Sequence, residues 1–194
     1  MKSNLKMLGA ALVASTVLTT AAEAQRDYGG TSQPRPQVPQ TAQGEQKPQK
    51  PAKGGAVVTL GDRKINISAE FAKAYQELLA AVNANDATIA AKSAAAHAAA
   101  KSREEHFLAA QLDLKAAVAA KNDANIASAL ETMVSTDQLT QSQLAAAYLS
   151  LGKTRYNLKQ FPQAIAAFER TLQLDPNNSE AKALLEQTQV VGAA

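Results

Sequence analysis

The apolar residues of this 194-residue chain fall into four stretches with different rhythms. Lys2 and Lys6 precede an apolar run from about Met7 to Leu18, which gives way to the small residues of Ala22-Glu23-Ala24. That order of basic, apolar and small residues predicts a secretory leader over residues 1–24, cleaved after Ala24; the run is too short to span a bilayer comfortably as an anchor. From Gln25 to Gly55, Tyr28 and Val38 are the only sizeable apolar residues, while five of the seven prolines and seven glutamines gather here. Such a segment cannot bury enough surface to offset the entropy of ordering it, so a disordered tether is expected. Residues 56–67, AVVTLGDRKINI, hold two β-prone runs around Gly61-Asp62, the pattern of a small hairpin. An isolated hairpin is marginal in water, so this piece reads as an extended end to the 25–67 linker, docked at most on the first helix. Beyond it, residues 68–194 change to helical periodicity and form the folded domain.

Local signals place the helix ends. Ser102-Arg103-Glu104-Glu105 and Thr140-Gln141-Ser142-Gln143 have the form in which a hydroxyl and a carboxylate or amide satisfy each other's free amides at a helix start. Asp86 and Asp123 are placed to cap second helices, and Pro162 suits a first turn, where its missing N–H is no loss. Asn178 can cap a last helix from Ser179 to about Val190, whose apolar stripe is Ala181, Leu184, Leu185 and Thr188.

Residues 145–178 carry the most specific pattern: Tyr148, the pair Leu151-Gly152, Phe161, Ala164, Phe168, Leu172 and Pro176. In these residues and their spacing the segment resembles one tetratricopeptide repeat, a unit of about 34 residues. The resemblance implies a helix hairpin in which Gly152 permits close approach, Ala164 sits at the crossing, Phe168 fills the space above it and Pro176 stops the second helix. Lys159 stands where a Gly commonly ends the turn, and Thr171 where a second Ala is usual. One hairpin cannot bury its apolar face alone. Stepping back by 37 residues from Ala164 reaches Ala127 and then Ala90, and the turns before them read Asn122-Asp123 and Asn85-Asp86. The same register sets Leu112 and Tyr75 opposite Leu149, and the extra residues are expected as longer loops near Ser102–Phe107 and Thr136–Leu144. The fold class implied is all-α: a right-handed α-solenoid of about three hairpins with a C-terminal capping helix. Its aromatic-rich last repeat is expected to be the most stable part, and its first hairpin the first to open.

Function follows from the same resemblance. In such repeats one face of each first helix lines a concave groove that holds a protein or peptide. The matching positions are Tyr75 and Leu79, then Leu112, then Leu149, Lys153, Tyr156 and Asn157, joined by smaller residues such as Ala146. Tyr75 and Tyr156 would be amphipathic contacts, and Lys153 and Asn157 could hold a carboxylate or carbonyl. The basic set that grips a peptide C-terminus in some family members is not reproduced here.

Charge narrows the partners. The net charge of +3 sits in the tether, where Arg26, Arg35, Lys47, Lys50 and Lys53 oppose Asp27 and Glu45; residues 56–194 sum to −1. No basic stripe interleaved with aromatics marks nucleic acid as a partner, though the tether could touch anionic wall polymer or lipid weakly. That suggests an alternative class, an envelope structural protein whose helices self-associate. The chain has no Cys, and neither His97 nor His106 has a metal-like partner at helical spacing, so no metal or cofactor is expected. Glu104 and Glu105 open a helix, where carboxylates favour the positive end of the dipole. Without a nucleophile motif or phosphate loop, the chain reads as non-catalytic.

Overall fold

Serine, threonine and asparagine side chains start most of the helices. The computed structural model describes residues 18–19, 55–60 and 62–192, comprising β1 (Leu18–Thr19), β2 (Ala56–Leu60), β3 (Arg63–Ile67), α1 (Ala69–Ala84), α2 (Ile89–Ala99), α3 (Arg103–Ala120), α4 (Asp123–Ser135), α5 (Gln141–Asn157), α6 (Phe161–Leu174) and α7 (Ser179–Gly192). Ser68, Ser102, Asn122 and Thr140 each accept a backbone N–H from three residues on, and Asn178 does the same for Ala181 in α7. At Thr140 the arrangement is reciprocal with Gln143, as the sequence predicts. Three expected caps are corrected. At Ser102 only half of the reciprocal pair forms: Ser102 accepts the Glu105 N–H, but the Glu105 carboxylate turns to the amides of Ser68 and Lys101. Asn122, not Asp123, caps α4, because Asp123 is already inside the helix. Asp86 lies in the loop before α2, where its carboxylate accepts the Thr88 N–H at 2.8 Å.

The helices form three consecutive hairpins, α1–α2, α3–α4 and α5–α6, followed by α7, and each helix packs on the next in the chain. This is an all-α helical repeat fold. The turn inside each hairpin passes through one left-handed residue, Asn85, Lys121 or Lys159, with φ of 51°, 52° and 59°. Lys159 thus adopts the backbone that glycine would supply at lower cost. The extra residues between the first two hairpins do not make a loop at Ser102–Phe107, since α3 already begins at Arg103 and uses them as a longer helix.

Residues 56–67 form more than an extended lead-in. β2 and β3 pair antiparallel over five residues each, from Ala56↔Ile67 to Leu60↔Arg63. Alternation puts Ala56, Val58, Ile65 and Ile67 on one face, which is buried in one cluster with Phe71, Tyr75, Leu78 and Leu108. Leu60 reaches a second cluster with Phe107, Ala110 and Met133. Docking on α1 and α3 supplies the burial that an isolated hairpin lacks. Among the described residues the core therefore begins at Ala56, thirteen residues before α1. The sheet is completed by β1, whose two residues pair antiparallel with Val57 and Val58. The rest of the expected leader and the tether to residue 54 lie outside the described residues.

Glu105 locks this end together. Its carboxylate, 2% exposed, accepts the backbone N–H of Ser68 at 2.6 Å and of Lys101 at 2.5 Å, joining the start of α1 to the loop before α3. Towards the other end, Ala117, Ile126, Leu130, Ala147, Leu151 and Ala167 form the cluster between α3, α4, α5 and α6. Gly152 and Phe168 are buried at the α5–α6 crossing. Among the described residues no helix is long and apolar enough to cross a membrane.

Candidate functional site

The residues expected to line one groove separate into three environments. Tyr75 and Leu112 are core residues, 1% and 6% exposed, and are not available to a partner. Both belong to the cluster that the β2–β3 hairpin closes, and Tyr75 packs on Phe71 with ring centroids 5.6 Å apart. Leu79, half-buried, rests against the same cluster. The face these positions share is inward here because α3 packs directly on α1.

In the third hairpin, α7 engages the groove positions furthest along α5. Lys153 pairs with Glu180 at 2.6 Å, and the Tyr156 hydroxyl accepts from Gln187 at 3.2 Å while its ring meets Phe161 edge-on at 5.7 Å. Asn157 remains exposed. Leu149, one turn earlier, lies with Ala146 in an open cleft of about 600 Å³ between α5 and the junction of α6 and α7. Its floor is Ala145 and Ala146, and its rim carries Gln141, Ser142, Asp175 and Asn178. Gln141 already reaches across it, donating to the Leu174 carbonyl at 2.9 Å. Small apolar floor residues ringed by polar groups, three of them neutral and one the Asp175 carboxylate, suit an apolar side chain flanked by backbone amides.

The helix crossing beside this cleft has the close packing that the sequence pattern requires. A Cβ on Gly152 would stand 2.5 Å from Phe168 Cε1, and Ala164 and Phe168 are fully buried. Residues 145–178 match the family model described as Tetratricopeptide repeat. This segment is a tetratricopeptide repeat. It covers α5 from Ala145, all of α6 and the Asp175–Asn178 turn, so it contains the cleft's apolar floor, Leu149 and the Asp175–Asn178 part of the rim. No curated protein matches the chain.

A second cleft of about 610 Å³ lies between α2, α3 and α4, floored by alanines such as Ala116, Ala117 and Ala129. Its lining includes His97 and Asp113, which no spacing along the chain connects. They are sixteen residues apart on different helices, and only the packing of α2 on α3 brings them together.

Proposed function

We propose that the chain is an exported, non-catalytic adaptor that binds a protein or peptide through its tetratricopeptide repeat. The observation that carries this reading is the open cleft around Leu149, built from the repeat and the helix start that precedes it. Repeat hairpins of this kind expose extended surfaces between stacked elements and use them for recognition. Leu149 offers an apolar contact, while the rim offers donors and acceptors to a peptide backbone. Lys153 and Tyr156 contribute at the edge of the cleft only if they exchange their α7 partners for a ligand.

Export rests on the leader-like order of residues 1–24. Cleavage after Ala24 removes Leu18 and Thr19 from the edge of β2. N-terminal sequencing of the protein recovered from the periplasm tests this, with Gln25 as the expected first residue. A peptide-display selection against the mature protein tests the binding reading: peptides recovered with wild type should lose at least tenfold in affinity to Leu149→Asp. Equal binding to both proteins would remove the cleft from consideration. The second reading, envelope association through the tether, is favoured by the +3 charge of residues 25–55. Deleting those residues should then abolish association with envelope fractions, whereas Leu149→Asp should leave it intact.

A further inference from the structure

The chain has two histidines, and they meet. His97 comes from the alanine-rich α2 and His106 from α3, with their Nδ1 atoms 3.4 Å apart. The ring centroids are 5.7 Å apart and the planes differ by 19°. The centroid distance exceeds the nitrogen distance by about the two ring radii, so the nitrogens lie on the line between the centroids and the rings face each other edge to edge. Behind His97, Asp113 Oδ2 lies 2.7 Å from Nε2. A carboxylate there holds the proton on Nε2 and leaves the Nδ1 lone pair free, directed at His106. This is how an imidazole that binds a metal is commonly oriented from behind.

The nitrogen separation is long for an ordinary bond, since N–H donors in proteins usually approach their acceptors to about 2.9–3.0 Å. It matches a shared ion better. Two metal–nitrogen bonds of about 2.0–2.1 Å meeting at a tetrahedral angle span about 3.4 Å. For the lone pairs to meet at one ion each ring has to turn by roughly 35° from this head-on arrangement, a movement that the broad outer torsions of histidine side chains allow. We propose that His97 and His106 bind one divalent late first-row transition ion through Nδ1, with Asp113 as the positioning residue. No third His, Cys, Asp or Glu joins them among the described residues, so water completes the coordination. The His97 side chain is 30% exposed and that of Asp113 21%, and His106 is half-buried, so the pair is partly open to water. Neutral imidazole selects copper and zinc over calcium and magnesium, and copper(II) binds more tightly than zinc(II). The ion would clamp α2, which buries only Ala96 and Ala99, onto α3.

The test uses the full chain without a histidine tag. Calorimetric titration with zinc(II) and electron paramagnetic resonance with copper(II) should show one ion per chain and two coupled nitrogens. His97→Ala and His106→Ala should each weaken binding at least tenfold, and Asp113→Asn by about 10- to 100-fold. His106→Ala and the milder His106→Gln leave the His97–Asp113 contact in place, and circular dichroism verifies that helix content is kept. Absence of saturable binding to wild type, or unchanged affinity in both alanine variants, overturns the proposal.

Discussion

Substituting Gly152 with alanine sets two effects of known sign against each other. Glycine within a helix costs about 0.5–1 kcal/mol relative to alanine, so the change alone would stabilise α5. The added methyl, however, would lie 2.5, 2.6 and 3.0 Å from three carbons of the Phe168 ring. Carbon atoms rest at about 3.5–4.0 Å, so the ring or α6 has to move by roughly 1 Å. Phe168 is fully buried, so its ring moves only by displacing the residues packed around it. Overpacking a filled core costs about 1–3 kcal/mol. The clash wins, and a net loss of about 1–2 kcal/mol is expected, lowering the thermal midpoint by about 3–8 °C for a domain of this size. Urea and thermal melts followed by circular dichroism measure it. The decisive comparison is a double-mutant cycle with Phe168→Leu, which clears the ring carbons: in that background Gly152→Ala should be neutral or stabilising. If Gly152→Ala stabilises the wild-type protein, or has the same effect in both backgrounds, the close α5–α6 crossing is refuted.

Glu105→Ala deprives the Ser68 and Lys101 amides of their acceptor; at about 1–3 kcal/mol per orphaned donor the two sum to about 2–6 kcal/mol, and because Ser68 is half-buried and Lys101 exposed the loss in urea unfolding should lie at the lower end, about 2 kcal/mol, whereas a change below about half a kcal/mol would contradict this role. Hydrogen exchange should find the amides of α2 less protected than those of α6, because α2 buries two alanines whereas α6 buries Ala164, Ala167, Phe168 and Thr171. The Glu77 carboxyl is held below its ordinary value of 4.5, first by the hydrogen bond from Lys92 and then by its charge. Its contribution is therefore complete above that value and is lost as pH falls through the depressed one, so melts of wild type and Glu77→Gln should differ at neutral pH and converge as the pH is taken well below the ordinary carboxyl value. A constant difference across that range would show that the pair does not connect α1 to α2.

The last repeat is legible because its chemistry is local. Gly152, Ala164 and Phe168 belong to one hairpin, and their spacing alone states which helix must approach which. Thr140 and Gln143 likewise satisfy each other within one turn. What escapes the sequence is supplied by distant segments. The β2–β3 hairpin looks marginal in isolation, and its stability comes from Phe71, Tyr75 and Leu108 in the helices that follow. Glu105 reads as a residue favoured by the helix dipole, yet the amides it binds include that of Ser68, thirty-seven positions earlier. Tyr75 and Leu112 have the periodicity of groove residues, and the direct packing of α1 on α3 under the hairpin turns that face into core. Thr154, Thr171 and Thr188 are polar by type and fully or nearly fully buried; each returns its hydroxyl to the carbonyl four residues before it, so none needs a partner from elsewhere. The meeting of His97, His106 and Asp113 depends on the angle at which α2 lies on α3, which no spacing along the chain encodes.

Photo-crosslinking in living cells tests the adaptor reading most directly. A photoreactive residue at position 149, in the open cleft, should give a discrete crosslinked polypeptide, and the same residue at exposed position 94 on α2 should give none. Equal adducts at both positions, or none at 149 while the protein is folded and abundant, would contradict the claim that the tetratricopeptide repeat carries the binding.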